Sequence, residues 1–343
     1  MAAVSHLHLF TSRRRRAGRA GRAYASGMPD VPRSAWPSAA GIAVGLAADA
    51  LLGDPRRGHP VAGFGTVAAL LERRTHRDSR AVGAAYASGL TGAAALLGAA
   101  LVTGRGAGGT AALTALATWA VVGGTSLRRE AAVMSHLLDG GDLDGARERL
   151  SHLCGRDSSQ LDVAGLARAT VESVAENTSD AVVGPLVWGA VAGVPGLLAY
   201  RAANTLDAMV GHRSPRHERF GWAAARTDDV LNIVPARLCA ALTVVLAPVV
   251  DGRSRSALRA WRRDGHKHPS PNAGPVEAAF AGALGRTLGG RLAYAARVED
   301  RPLLGDGPAP EVADIARAAR LSAAVTVTAG ALAVGARLLL DRR

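Results

Sequence analysis

The sequence predicts an all-α, multi-pass membrane protein with five or six apolar segments. Of its 343 residues, 48% are hydrophobic and only 4% are aromatic, and the mean hydropathy is positive at +0.12. Several apolar runs approach the roughly 20 residues that a membrane-spanning helix needs. A water-soluble, buried all-α core is the alternative, but a soluble domain of this size does not readily accommodate three such runs.

The apolar segments cover residues 38–52, 83–103, 109–126, 181–200, 233–250 and 321–340. The second, third and last have the length and composition of simple spans, whereas the first is short and carries Asp49. The fourth and fifth contain prolines and glycines, which interrupt helices. Some segments are therefore predicted to be broken or re-entrant. Gly41 and Gly45, four residues apart, predict a close helix contact.

Three polar stretches separate the apolar segments. Residues 127–178 have the periodicity of amphipathic helices, residues 201–229 are predicted to be a connecting loop, and residues 251–320 are rich in proline and glycine. Residues 1–37 are predicted to be a disordered basic tail or the product of a mis-assigned start, because Met28 lies just before the first apolar segment. Residues 38–343 then form a single membrane domain.

The net charge of +13 comes almost entirely from arginine, and Lys267 is the single lysine. Such a charge attracts anionic lipid head groups and anionic substrates. Nucleic acid is not expected as a partner, because the arginines are scattered and no aromatic residues alternate with them. Cys154 and Cys239 lie far apart and predict neither a disulfide nor a zinc site.

Acidic residues recur at helical spacing just before the fourth apolar segment. Glu172, Glu176 and Asp180 are four residues apart and fall on one helix face, where a divalent cation would relieve their repulsion. A solvated acidic face is the alternative. Further along, Asp207 follows Arg201 and Asn204, and Asp229 follows Arg226. Such pairs can also be local ion pairs without chemistry.

Two turn motifs complete the polar set. In the first, Asp54 and His59 each precede a proline, which fits either a ligand contact or a simple turn cap with a loop histidine. In the second, residues 268–274 form a Pro/Asn/Gly turn that can offer backbone N–H groups to an anion. The sequence has no Walker A motif, so nucleotide use would not involve a P-loop.

Together these motifs resemble the CobD/CbiB family of adenosylcobinamide-phosphate synthases over residues 39–305. The motifs that carry the resemblance are G-D-P at 53–55, H-P-V at 59–61, E-N-T-S-D at 176–180, P-L at 185–186, N-T-L-D-A-M-V-G at 204–211, F-G at 220–221, D-D-V-L-N-I-V-P-A-R at 228–237, S-P-N-A-G at 270–274 and L-G-G at 288–290. Each motif is short, but their common order makes chance agreement improbable.

The resemblance implies a polytopic enzyme of the cell membrane that uses ATP and Mg²⁺, with its site open to the cytosol. The implied reaction joins (R)-1-amino-2-propanol or its O-phosphate to the free propionate of adenosylcobyric acid, giving adenosylcobinamide or its phosphate. The corrinoid is a substrate rather than a cofactor. A small transporter and a membrane scaffold for corrin enzymes are the competing functions. The oligomeric state stays open.

Under this resemblance, the expected catalytic residues are Glu176, Asp180, Asp207, Asp229 and Arg226. The first three are also the expected Mg²⁺ ligands, since phosphoryl transfer needs charge neutralisation. The expected substrate-binding residues are Asp54, His59, Asn177, Arg201, Asn204, Arg237, Ser270 and Asn272. A shared site requires that segment 181–200 be re-entrant, or that the following loop fold back, because a simple crossing would separate Asp180 from Asp207.

Overall fold

The computed structural model describes residues 36–54, 58–155, 157–212, 214–294 and 297–340. Residues 34–343 form one compact unit. The predicted basic tail, residues 1–37, lies outside the described residues except for Trp36 and Pro37, which begin the first helix.

The described residues are mostly helical, with one small β-hairpin. The helices are α1 (Trp36–Leu52), α2 (Pro60–Thr75), α3 (Arg80–Val102), α4 (Ala107–Val121), α5 (Gly124–Asp139), α6 (Leu143–Leu150), α7 (Val163–Thr178), α8 (Gly184–Leu206), α9 (Trp222–Leu231), α10 (Ile233–Leu246), α11 (Ser254–Asp264), α12 (Ala273–Leu284) and α13 (Val312–Leu340). Two π-helical turns, π1 (Ser179–Val183) and π2 (Asp207–Gly211), flank α8, and a 3₁₀ turn (Ala247–Val250) follows α10. The antiparallel strands are β1 (Leu288–Tyr294) and β2 (Arg297–Leu304).

Five helical stretches of the described chain are long and apolar enough to cross a membrane, which confirms the predicted all-α, multi-pass class. They are Arg80–Val102, Ala107–Asp139, Val163–Gly211, Ile233–Val250 and Val312–Leu340. The third stretch is not one straight rod, because α8 changes direction within it. Large apolar side chains of α3 and α4 remain exposed, Leu96 and Leu116 among them, as expected for surfaces that face lipid.

Close packing of α1 on α4 follows from small residues at four-residue spacing. A methyl group at Gly41 would stand 2.5 Å from the Cβ of Thr114, and one at Gly45 would stand 2.5 Å from the Cβ of Thr118. Any larger side chain would push the two helices apart. The predicted small-residue contact is therefore confirmed at these positions.

Helix α8 folds back on itself at Gly193. The backbone there has φ 64° and ψ −144°, a conformation essentially restricted to glycine, and Pro195 follows within the helix. A methyl group at Gly189 would stand 2.8 Å from Leu197, eight residues away, whereas eight residues of straight helix span about 12 Å. A methyl at Gly184 would likewise collide with Tyr200. The reversal of this segment, one of the two arrangements that a shared site requires, is thus present, and its two ends lie together.

Two expectations for the polar stretches need correction. Residues 201–229 are not a connecting loop: the chain stays helical through Gly211 and is helical again from Trp222. Helix α9 and turn π2 pack against neighbouring helices, α9 on α3 and α8 and π2 on α8. Backbone N–H and C=O groups that are buried in this way need hydrogen-bond partners, and a helix supplies them internally. The hairpin β1–β2 was also not expected in an all-α chain. Three helices, α5, α6 and α7, occupy most of the described part of residues 127–178, as predicted.

Candidate active site

The two π-helical turns place acidic residues at the base of the α8 hairpin. Turn π1 carries Asp180 and turn π2 begins at Asp207, and each turn interrupts the α-helical register at one end of α8. Single π turns inside helices are frequent at functional sites. Because α8 reverses, both acids come within electrostatic range of each other, of Glu176 and of Asp228, and these four carboxylates form the acidic centre. A methyl at Gly211 would collide with the Asp207 carboxylate, so a larger residue there would displace that carboxylate.

Asp228 of α9 organises a hydrogen-bond network between these turns. Its Oδ1 accepts a bond from Asn204 Nδ2 at 3.2 Å and its Oδ2 accepts one from Asn232 Nδ2 at 2.9 Å. The hydroxyl of Tyr200 donates to Asn232 Oδ1 at 2.7 Å and is also 3.0 Å from the carbonyl oxygen of Asp180. Burial raises the pKa of Asp228, while the bonds from the two asparagines oppose that rise.

Arg201 is a half-buried cation with unused hydrogen-bonding capacity. Its Nη1 lies 3.4 Å from Asn204 Oδ1, a long contact, and its buried Nε has no partner within the described residues. The negative charges of Asp54 and Asp180 favour its charged form. A buried donor without a partner costs about 1–3 kcal/mol, so this side chain is suited to an incoming acceptor.

The same arginine borders a cavity of about 330 Å³ whose walls are otherwise almost wholly apolar. Its walls come from α2, α3, α4 and α8, with Phe64, Leu90, Leu97 and Leu198 among the lining residues. Such a site favours a ligand with an apolar body and one anionic group.

A second set of polar residues adjoins the network through α9 and α12. Arg226 Nη1 pairs with Asp229 Oδ2 at 2.9 Å. Asn272 Nδ2 donates to the carbonyl oxygen of Asp229 at 2.7 Å, and its Oδ1 accepts from Arg237 Nη1 at 2.7 Å. Arg237 borders a second cavity of about 550 Å³.

One continuous chain of polar contacts therefore joins the two cavities. It runs from Arg201 through Asn204 to Asp228, passes along the backbone to Asp229, and continues through Asn272 to Arg237. The predicted residues of three separate motifs are brought together by this path. An anionic group held at one arginine and a second held at the other would face the same acidic centre.

The acidic centre has the donor atoms that Mg²⁺ prefers. Within the described ranges, no group of three or more His, Cys, Asp and Glu side chains is arranged to hold a metal ion. Mg²⁺ is, however, usually held by one or two carboxylates together with substrate phosphate oxygens. The carboxylates of Asp180 and Asp207 accept no hydrogen bond from any described residue, so they remain available to a cation. The donor set thus fits, and the Mg²⁺ prediction stays a prediction.

Several predicted residues make structural contacts, and their roles in binding stay predictions. His59 Nδ1 accepts the backbone N–H of Val61 at 3.2 Å and so caps α2, which neither the ligand contact nor the loop histidine anticipated. Asn177 donates to Ser173 on its own helix. Ser270 Oγ accepts from the backbone N–H of Ala273 at 3.1 Å and so helps to fix the start of α12. Glu172, on the same helix as Glu176, is buried and binds the backbone N–H of Gly289 at 2.7 Å, outside the acidic centre.

Three central residues were not among the predicted site residues: Tyr200, Asp228 and Asn232. Asp228 and Asn232 are four residues apart in the D-D-V-L-N motif, a spacing that predicts a shared helix face. That spacing could have identified the pair. Tyr200 had no such signal, because it lies inside an apolar run and reaches the network only through the reversal of α8.

Comparison with known proteins places the chain in a family. A family model described as CobD/Cbib protein matches residues 42–322. A "Cobalamin biosynthesis protein CobD" from Mycobacterium tuberculosis (strain ATCC 25618 / H37Rv) is 56% identical over 311 residues, covering 90% of this chain and 98% of that protein. Proteins with the same name from Chromobacterium violaceum and Rhodobacter capsulatus are 44% and 42% identical, covering 83% and 86% of this chain and 92% and 98% of their own lengths. No solved structure gives a significant match. The chain therefore belongs to the CobD/CbiB protein family.

Proposed function

We propose that this protein acts in cobalamin biosynthesis as an ATP-dependent ligase of the cell membrane. It joins 1-amino-2-propanol, or its O-phosphate, to the free propionate of adenosylcobyric acid. The names of the relatives support the pathway, and family resemblance supports the reaction. The observation that carries the proposal is the polar chain between Arg201 and Arg237, because it connects two anion-accepting cavities through one acidic centre.

The chemistry requires activation of the propionate, since a carboxylate does not react with an amine at neutral pH. One propionate oxygen attacks the γ-phosphorus of ATP, which forms an acyl phosphate and releases ADP. The deprotonated amine then attacks the acyl carbon, the C–O bond to phosphate breaks, and the surplus proton leaves to a carboxylate of the site. The corrinoid is a substrate throughout, and the amide is the product.

The residues of the site have distinct parts in this proposal. Arg201 holds the propionate by its unpartnered Nε, and the apolar cavity receives the methylated edge of the corrin. Asp180 and Asp207 would hold Mg²⁺, which supplies charge neutralisation at phosphoryl oxygens when bound. Asp228, through Asn204 and Asn232, fixes the distance between the two helix ends. Arg226 and Arg237 would stabilise negative charge on phosphate, because guanidinium groups bind phosphate oxygens in pairs.

Reconstitution with purified protein tests this function. The protein in lipid nanodiscs receives ATP, Mg²⁺, adenosylcobyric acid and either amine, and amide and ADP are quantified by mass spectrometry. Amide and ADP in equal amounts are expected, with at least a hundredfold loss in Asp207→Asn and no loss in the exposed control Asp144→Asn. A transporter or a scaffold would give neither product, and full activity in Asp207→Asn would refute the role of that carboxylate.

A further inference from the structure

The second cavity has a wall of a different character from the first. Its volume is about 550 Å³, and it lies between α10, α11 and the turn before α12. Prolines line it together with cationic, imidazole and aromatic side chains. The latter are Arg237, Trp261, Arg262, His266 and His268. Of the described residues that line it, none has an acidic side chain. Such a surface attracts anions.

Much of this cationic capacity is unused by the protein. Arg262 and His266 are exposed and make no hydrogen bond or ion pair with any described residue. Among the described residues, Arg237 binds Asn272 and the carbonyl oxygen of Ile233 through Nη1 alone, so its Nε and Nη2 have no partner there and can donate. Two arginines and a histidine around one cavity can hold several phosphate oxygens by charge-assisted bonds.

The cavity also has a planar aromatic side chain in its wall, and hydrogen bonds hold the backbone beside it in place. The half-buried indole of Trp261 lines it and is suited to stacking against a planar base. The frame is held by the buried carboxylate of Asp264, which binds Arg263, Lys267 and the backbone N–H of Gly305 at 2.6–2.9 Å. A methyl at Gly265 would stand 2.7 Å from the carbonyl oxygen of Trp261, so glycine keeps the turn close to α11.

We propose that this cavity binds the nucleoside triphosphate of the reaction. The base stacks on Trp261, and the phosphates lie among Arg262, His266 and Arg237. The terminal phosphate is then nearest to Arg237. This arginine binds Asn272, which in turn binds the backbone of Asp229, next to the acidic centre. This inference rests on the proposed function, because the proposed reaction consumes a nucleoside triphosphate.

Nucleotide binding alone, measured without corrinoid or amine, tests the location. The dissociation constant of a non-hydrolysable ATP analogue with Mg²⁺ is determined by calorimetry on the full-length protein in neutral-lipid nanodiscs. The double variant Arg262→Ala/His266→Ala is expected to bind at least tenfold more weakly. Arg259→Ala, an exposed arginine of the same helix outside the cavity, is the matched control and should bind as the wild type does. Trp261→Leu should weaken binding and Trp261→Phe should restore most of it.

Each other outcome overturns the inference in a distinguishable way. If the double variant, confirmed as folded by thermal unfolding, binds the analogue normally, the location is wrong although the proposed function stands. If the wild type binds no nucleotide, both the location and the ATP dependence fail. If nanodiscs containing an acidic phospholipid displace the analogue while neutral ones do not, the cavity is a lipid head-group site instead.

Discussion

At the scale of single residues, three asparagines connect the charged and hydroxyl groups of the site by hydrogen bonds. Asn204, Asn232 and Asn272 each donate through Nδ2 to an aspartate oxygen and accept through Oδ1 from a tyrosine or an arginine. Each carboxamide thus has one orientation that satisfies both ends. Both oxygens of Asp228 accept bonds, so this carboxylate connects the helices rather than serving as a free base.

Tyr200→Phe tests the network directly. The hydroxyl is buried and removal leaves Asn232 Oδ1 without a donor, so we expect a loss of about 1–3 kcal/mol in stability. Tyr86→Phe is the matched control, because that buried hydroxyl binds the carbonyl oxygen of Ala68 away from the network. Thermal unfolding should show similar losses for the two variants, whereas kcat for amide formation should fall only for Tyr200→Phe. Equal kcat values would show that Tyr200 has a structural role alone.

At the scale of elements, the reversal of α8 creates the site. The two halves pack on each other through Gly184 and Gly189, and they bring Asp180 beside Asp207, which lie 27 positions apart in sequence. A straight span would have placed these two acids on opposite faces of the membrane. Trp188 adds a bond to the carbonyl oxygen of Leu231 at 3.0 Å, which ties the first half of the hairpin to the end of α9.

Replacement of Gly193 should open this hairpin. With φ 64° and ψ −144°, an alanine there would be strained by about 1–3 kcal/mol. Gly193→Ala is therefore expected to lower both the melting temperature and the amide-forming activity. Gly92→Ala on α3 is the control, since a methyl there meets nothing within 4 Å and the backbone is not left-handed. An unchanged Gly193→Ala variant would contradict the hairpin.

The ion cluster at the end of α11 predicts a defined pH dependence of stability. Burial would raise the pKa of Asp264, but bonds from Arg263, Lys267 and Gly305 outweigh burial and hold the pKa below its ordinary value of 3.8. A lowered pKa in the folded state means that the stabilisation is complete above 3.8 and is lost as the pH falls further. Melting curves should show that the advantage of the wild type over Asp264→Asn is constant at higher pH and shrinks below 3.8. An advantage that grows on acidification would contradict this assignment.

At the scale of the whole molecule, the site lies at one end of the helix bundle. Helix α3 is antiparallel to the second half of α8: a methyl at Gly83 would collide with the backbone of Phe220, and one at Gly98 would stand 2.8 Å from Pro195. The loop after α3 therefore lies at the end opposite to the acidic centre. Because ATP and the corrinoid are cytosolic in the proposed function, the acidic centre should face the cytosol.

Accessibility of single cysteines tests this arrangement in a variant that lacks Cys154 and Cys239. Exposed positions Ala208 and Pro271 lie at the site end, and exposed Arg105 lies at the other. A membrane-impermeant maleimide applied to intact cells should label Arg105→Cys alone, and all three should react once the membrane is permeabilised. Labelling of Ala208→Cys and Pro271→Cys from opposite sides would exclude a shared site.

The sequence predicted the fold class and the apolar segments, because composition and spacing report on burial and helix faces. The roles of the motif residues stay predictions. It also indicated that segment 181–200 was broken, since proline and glycine are visible in the chain. It could not establish where the hairpin turns or that Tyr200 reaches Asn232, because these contacts depend on packing between distant residues. Residues 201–229 were wrongly predicted to be a loop, since polar side chains that bind one another inside a protein have the same composition as solvated ones.

The proposed acyl phosphate at the acidic centre can be detected by isotope transfer. Adenosylcobyric acid labelled with ¹⁸O in its free propionate is converted with ATP, Mg²⁺ and the amine, and the released inorganic phosphate is analysed by mass spectrometry. One ¹⁸O atom should appear in phosphate for each amide formed, because the propionate oxygen that attacks phosphorus leaves with it. Amide formation with unlabelled phosphate would show that no acyl phosphate forms.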